Sequence, residues 1–340
     1  MRIDRTIIRS FRNFSGPDLI TNWDPGINLI LGNNGTGKTN LLEALSILTG
    51  WGAFAKTSGV VSWQSENRRA YIAARVSGEE NFDVSADISS RISLRLSGKS
   101  LSFTELRQFI PSIIFLTGNL SLIDGSPSAR RLFVDRLCAL FVPPFAKRLA
   151  DFKNVLRVRS SLLRQGKSPA STDELFCKLG GWIMDIRREV LSQISAMIPP
   201  GKIALEFLPR IKSGVEFLRD MAGRFSQREF YAHRVLYGPN YDDMSIMIPE
   251  KGKTASESLS RGQKRRLILF MIITAGKLIA ERLKRSPILL LDDLTAELDS
   301  QGKDFAYKTL SQTKWQVFIT APEKPFATRK KFGGINLPAV

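Results

Sequence analysis

Cysteine is nearly absent: the 340-residue chain holds two, Cys138 and Cys177. So few thiols exclude a disulfide framework and a zinc cluster, and they point to a reducing, cytoplasmic setting. Histidine is scarcer still, with His233 alone. On its amphipathic stretch it reads as a surface or packing residue rather than a catalyst. No apolar run approaches the ~20 residues that cross a bilayer, so no membrane is expected as a partner. The N-terminal stretch MRIDRTIIRSFRNF has no uninterrupted apolar segment of the kind a secretory signal needs. Internal repeats and low-complexity tracts are missing too, which leaves a globular chain long enough for two lobes.

Acidic residues are also in deficit. Against 50 Lys plus Arg stand 32 Asp plus Glu, a net charge of +18. Such a surplus favours a polyanionic partner, nucleic acid being the commonest. Between Gly125 and Gln165 lie Arg130, Arg131, Arg136, Lys147, Arg148, Lys153, Arg157, Arg159 and Arg164, opposed by Asp135 and Asp151 alone. A second dense region runs from Lys251 to Arg285. Phosphate contacts need Lys and Arg on a common surface rather than a base-reading motif. The DNA-contact candidates are Arg130, Arg131, Lys147, Arg148, Lys153, Arg157 and Arg159. The other reading is a set of solvated helix faces, with Arg130 and Arg131 bracing a local turn. No helix-turn-helix or zinc-finger pattern is present, so binding is expected to depend weakly on sequence and strongly on salt.

Periodicity predicts an α/β core with a helical insertion. Alternation around Ile3, Ile7 and Phe11 fits an opening strand, and GINLIL (26–31) fits a buried one. NLLEALSILTG (40–50) has helical spacing and stops at Gly50. Three alternating runs between about 70 and 103 read as antiparallel hairpins. From 127 helical spacing takes over, broken at Pro143-Pro144 and ending at Pro199-Pro200. PILLLDDL and WQVFITA are further buried strands, and the tail from Pro322 reads as loose and basic. The division expected is a head of 1–125 and 201–340 with a helical lobe of 126–200.

Chemistry is concentrated in GNNGTGKTN, the run Gly32, Asn33, Asn34, Gly35, Thr36, Gly37, Lys38, Thr39 and Asn40. It matches G-x-x-x-x-G-K-[ST] and lies between a predicted strand and a predicted helix, as a phosphate-binding loop requires. Glycines let backbone N–H groups curl around phosphates, and the helix N-terminus adds partial positive charge. Lys38 would reach the β- and γ-phosphates and Thr39 would ligate Mg2+. A strand ending in acids, ILLLDD, offers Asp292 for the metal and Asp293 to polarise an attacking water.

GNNGTGKTN, LSRGQ, LLLDD and AELDS occur in that order, with an insertion between the first two. The set resembles the ABC/SMC class of ATPases. FRNF, GSPSARRLF and YGPNYDDM are similar to segments of the RecF family within it, and the likeness covers about residues 3 to 321. The resemblance implies an ABC/SMC-type P-loop ATPase head with a mixed sheet and an antiparallel hairpin subdomain, plus the inserted helical lobe. It implies an ATP-dependent homodimer in which Ser260, Gly262 and Gln263 contact a nucleotide on the partner's Lys38. Glu297 to Asp299 would link the two sites. It further implies binding of single-stranded, double-stranded and gapped DNA, and work with RecO and RecR in recombinational repair and SOS induction.

The chain departs from the class or family pattern in four places. Asp293 stands where most ABC-type ATPases have Glu, a feature the RecF family shares, which suggests a weak ATPase used as a dimer-release switch. FLTGNL (115–120) replaces Phe-Ser-Pro-Glu-Asp-Leu, removing an acid near Gly118. Asn240 replaces a His, and no switch His follows FITAP. An ABC transporter subunit is the less favoured alternative, since no Gln-bearing coupling loop is seen. An SMC-like ATPase of another DNA-related or anti-phage system is a second alternative. It would bring long coiled coils or a nuclease domain, for which the chain has little room.

Overall fold

The computed structural model describes residues 1–54, 59–62, 64–65, 68–116, 121–199, 201, 203–209, 215–295, 298–326 and 332–338. They divide into two compact units, one of 1–119 with 260–340 and one of 120–259.

The first unit opens with β1 (Arg2–Arg9), β2 (Leu19–Asn22), β3 (Ile27–Leu31) and α1 (Lys38–Leu48). Next come β4 (Ala70–Ser77), β5 (Phe82–Ile88), β6 (Ile92–Leu96), β7 (Lys99–Leu101), α2 (Phe103–Phe109) and β8 (Ser112–Phe115). The second unit holds α3 (Ser121–Asp124), α4 (Pro127–Phe141), α5 (Phe145–Arg164), α6 (Asp173–Ala196), β9 (Ala204–Leu208) and α7 (Val215–Ala232). It closes with β10 (Asp243–Ile248), β11 (Lys253–Thr254) and α8 (Ala255–Ser258). The chain then returns to the first unit through α9 (Arg261–Leu283), β12 (Ile288–Asp292), α10 (Ser300–Gln312), β13 (Val317–Ala321) and β14 (Gly333–Asn336).

Two sheets build the first unit. One is antiparallel, in the order β2-β1-β4-β5-β6-β7. The other is parallel, in the order β14-β3-β13-β12-β8. Strands β8, β12 and β13 are buried throughout, in keeping with their largely apolar sequences. Helix α1 is buried along Leu41–Leu48 and packs on both sheets, with its buried Glu43 neutralised by Arg12 (2.7 Å). Gln316, 2% exposed, ties the sheets together. Its carboxamide accepts from Ile3 N (2.7 Å) and donates to Ile3 O (2.7 Å), copying a peptide pair.

Three expectations are corrected. The opening strand ends at Arg9, and Phe11 to Phe14 form a tight turn instead. A register shift between Ile3 and Arg5 moves the inward set to Thr6 and Ile8, leaving Ile7 half-buried. The tail is not wholly loose: β14 adds an edge strand to β3. Gly334 makes this possible, with φ at +130° and Leu29 O only 2.0 Å from where a Cβ would stand. The inserted unit is also larger than 126–200.

That enlargement has a physical cause. In the second unit α6 packs against α4, α5, α7 and β9, so the strands after 201 complete its core. Buried ion pairs tie them in. Arg187 pairs with Asp135 (2.8 Å) and Asp242 (3.1 Å). Arg159 pairs with Asp173 and with Glu229 (2.6 Å), and also donates to the Tyr237 hydroxyl. Losing one partner of such a pair costs about 3–5 kcal/mol, because the other charge stays buried. Burial pushes the Cys177 thiol up to about 11 and raises the Cys138 thiol as well, so neither forms a reactive thiolate.

Desolvation, partly offset by Arg187, lifts the Asp242 carboxyl to about 6. An unfolded-chain Asp titrates near 4, so between those values the folded unit binds the extra proton. Stability from this carboxyl therefore grows as pH falls from about 6 toward 4 and is lost as pH rises through 6. Urea unfolding of the parent and of Asp242→Asn checks this. The parent should gain about 2–3 kcal/mol on the variant between pH 7 and pH 4. A difference that stays flat with pH would contradict it.

Candidate functional site

The parallel sheet sets the geometry. Its order places β13 between β3 and β12, so the loop after β3 and the acids ending β12 meet at the carboxyl ends of the strands. Gly32 to Gly37 turn the chain from β3 into α1. Gly37 caps α1 at φ +100°, and a Cβ there would stand 2.5 Å from the Asn13 carboxamide. Asn13 clamps the loop from outside, donating to Thr36 O (3.1 Å) and accepting from Asn40 Nδ2 (2.7 Å). No side chain caps α1 and no acid lies in its first turn, so its N-terminal field is left for an anion.

Lys38 donates to Gly32 O (2.7 Å) and Asn33 O (2.8 Å), holding its ammonium over the loop. Thr39 Oγ1 donates to Asp292 Oδ1 at 3.0 Å. Thr320, on β13, donates to the same oxygen (2.7 Å) and accepts from Asp293 N (2.9 Å). Asn34, Gly35, Gly37, Lys38, Thr39, Asn40, Asp292 and Asp293 line one cleft of about 410 Å³. The hydroxyl of Thr39 beside the carboxylate of Asp292 is an all-oxygen pair that suits Mg2+, whose remaining ligands are usually phosphate and water. Among the described residues no three His, Cys, Asp or Glu side chains gather as a metal cluster, which this mode of binding does not need.

Asp293 sits at φ +52°. Asp and Asn tolerate that left-handed backbone better than longer side chains, a physical reason for Asp where Glu is usual.

Ser260, Gly262 and Gln263 do not line this cleft. They open α9 at an exposed corner. Ser260 Oγ accepts from Gln263 N (3.4 Å), and Gln263 Oε1 accepts from Ser260 N (2.9 Å), a reciprocal capping box. Gly262 has open space where a Cβ would be. The basic residues behind them are tied into the unit: Arg265 is buried and donates to Asp293 O (3.2 Å) and Leu294 O (3.1 Å). Arg266 donates to Asp299 Oδ1 (3.1 Å). Asp299 caps α10 through Gly302 N, a bond that holds its carboxyl below the usual carboxylate range. Glu297 and the altered loop around Gly118 lie outside the described residues.

The DNA-contact candidates divide. Arg159 is removed from that set: it is fully buried in the ion cluster of the second unit. Arg130 is bound to Asp243 (2.6 Å) and Gly125 O, and Arg131 donates to Asp242 O (2.7 Å). The GSPSARRLF and YGPNYDDM segments thus grip each other. Arg148 stacks 4.3 Å over Trp182. Lys147, Lys153, Arg157 and Arg164 remain exposed on α5. At 100° per residue, Lys153, Arg157 and Arg164 fall within about 40° of one another.

Asn13, Thr320 and Arg265 went unrecognised in the sequence. Asn13 lay in a quoted motif, and Thr320 in a strand read only for a missing His. Arg265 carried no signal beyond its charge. His233 follows α7 at φ +51°, its Nδ1 3.0 Å from Leu163 O, in keeping with a packing role.

A phosphate loop facing a carboxylate-capped strand, with a Ser-capped helix set apart from it, defines an ABC/SMC-type ATPase head. The chain belongs to the RecF/RecN/SMC N-terminal domain family, which matches residues 2–332. It is 28% identical over 337 residues to the DNA replication and repair protein RecF of Shewanella baltica (strain OS223), covering 94% of this chain and 92% of that protein. To the RecF of Desulforudis audaxviator (strain MP104C) it is 28% identical over 357 residues, covering 98% and 97%. A solved structure of the recombination mediator protein RecF-ATPrS in the RecFOR pathway shares the fold at TM-score 0.82. It is 24% identical and covers 95% of this chain and 93% of that one. An Smc head bound to the C-winged helix domain of ScpA shares it more distantly, at TM-score 0.50 and 16% identity over 94% and 89% of the chains.

Gly37→Ala tests the cradle. The added methyl meets Asn13 and forces a left-handed alanine, so ATP affinity measured by calorimetry should fall at least about tenfold while the far-ultraviolet dichroism is kept. Parent-like affinity would mean the loop does not hold phosphate.

Proposed function

We propose that this chain is a RecF-type DNA replication and repair protein, an ATPase whose two copies close around ATP to hold DNA. The observation that carries the reading is the division of labour in the first unit. The phosphate cradle shares one cleft with Asp292 and Asp293, while Ser260 and Gly262 open an exposed helix elsewhere. An ATP site so divided is completed by a second copy, each contributing the half the other lacks.

In this reading Gly35, Gly37 and the start of α1 wrap the phosphates, and Lys38 leaves its two carbonyl partners for phosphate oxygens. Thr39 and Asp292 would hold Mg2+, which neutralises charge on the β- and γ-phosphate oxygens when bound. Asp293 orients and polarises the attacking water. Ser260 and Gly262 approach the γ-phosphate on the partner, with the N-terminus of α9 aimed at it. ATP favours the dimer because only the dimer makes both sets of contacts. The short reach of Asp293 suits a slow ATPase whose hydrolysis releases the dimer.

The RecF name of the curated relatives supports a role in replication and repair, and the likeness to RecF solved with ATPrS in the RecFOR pathway supports ATP as the ligand. RecO and RecR are the partners this implies, in gap repair and SOS induction. The exposed stripe of Lys153, Arg157 and Arg164 is the DNA contact best supported in the second unit, with Lys147 exposed on another face of the same helix.

Light scattering with and without ATP tests the composite site. The parent should dimerise with ATP, while Lys38→Met and Ser260→Arg stay monomeric. Asp293→Asn suits the same left-handed backbone, so it should still dimerise yet lose about a hundredfold or more in hydrolysis. Parent-like turnover would take Asp293 out of the reaction.

DNA titrations over a range of salt test the stripe. Changing Lys153 and Arg157 together to Ala should weaken binding on every sequence and lower the slope of log K against log salt by about 2. An unchanged slope would move the DNA surface elsewhere.

A further inference from the structure

Asp293 is held at both ends of its peptide unit. Its N–H is fixed by Thr320 Oγ1 at 2.9 Å, and its carbonyl accepts from Arg265 Nη1 at 3.2 Å. The same nitrogen reaches Leu294 O at 3.1 Å. Arg265 lies on α9 five residues after Ser260, about 7.5 Å along a rigid helix. The next residue, Arg266, holds Asp299 at the far end of the same connection. The start of the serine-capped helix therefore grips the segment that carries the water-polarising acid of its own chain. At φ +52° that acid is on a strained backbone, which persists only when its surroundings over-determine it.

We propose that Arg265 is a positioning residue: it orients Asp293 of its own chain toward the water at that chain's own nucleotide. The proposal rests on the composite-site reading above. Its guanidinium is not among the groups that line the phosphate cleft. Without that hold on the two carbonyls the carboxylate beyond them is no longer fixed.

Single variants give the first readout. Arg265→Ala should dimerise with ATP as the parent does and keep its KM for ATP, while kcat falls at least about tenfold for a misplaced water-polarising acid. Arg265→Lys, with one charged donor, should recover part of kcat. A rise in KM with kcat unchanged would overturn the assignment.

Mixed dimers separate an effect on the acid from an effect on the serine-capped helix. Each variant alone keeps at most about a tenth of parental activity, and equimolar pairs are assayed for hydrolysis. Ser260→Arg with Lys38→Met is the control. One site of each mixed dimer is then intact and neither variant pairs with itself, giving up to about half of parental activity. No recovery there would overturn the composite-site reading itself. With the control recovered, Arg265→Ala mixed with Ser260→Arg should also recover, because the intact acid of one chain meets the intact Ser260 of the other. Arg265→Ala mixed with Lys38→Met should stay inactive. The reverse pattern would assign Arg265 to the serine-capped helix and overturn the proposal. Arg265→Gln, nearer in volume, is run in parallel, and recovery in any pair shows that the variant chain folds.

Discussion

Helix α1 is the constraint on which the ATP site depends. It is buried between a parallel and an antiparallel sheet, and only its first turn reaches the cleft. Burial on all sides fixes the position of that turn, so the field of its N-terminus points at one place. Everything else at the site is placed relative to it: Asn13 from the turn after β1, Asp292 from β12, Thr320 from β13. The Gln316–Ile3 pair keeps the two sheets from sliding over the helix between them.

Charge in this chain serves two ends that composition does not separate. Arg159 and Arg187 are internal struts, each satisfied by two carboxylates, and Arg130 and Arg131 join two distant segments. A buried guanidinium so committed cannot also neutralise phosphate. The surplus that faces solvent on α5 is a stripe of a few side chains, which is what a sequence-indifferent grip on a nucleic-acid backbone requires.

The serine-capped helix joins local and distant roles in one turn. Ser260 and Gln263 satisfy the helix end within their own chain, at an exposed corner that can exchange those bonds for phosphate oxygens. One turn further, Arg265 and Arg266 hold the two ends of the connection after β12. The helix therefore braces the neighbourhood of Asp293 on one side and is open at its tip on the other.

Features set by neighbouring residues were legible in the sequence. The phosphate loop, the acids ending β12 and the hairpins of the antiparallel sheet all follow from patterns a few residues long. Periodicity even held an unread clue: Phe145, Phe152 and Arg159 recur at sevens on the buried face of α5. What only the tertiary structure decided depends on residues far apart in the chain. Whether an arginine meets water or a carboxylate 70 positions away, as Arg159 meets Glu229, is not written in its surroundings. The same holds for β14 joining β3, for the strands after 201 completing the second unit, and for Thr320 between two acids. Sequence determined which chemistry the chain carries, because that is encoded in local residue types and spacing. Folding decided which charged groups are free to perform it, because burial and pairing arise only when distant segments meet.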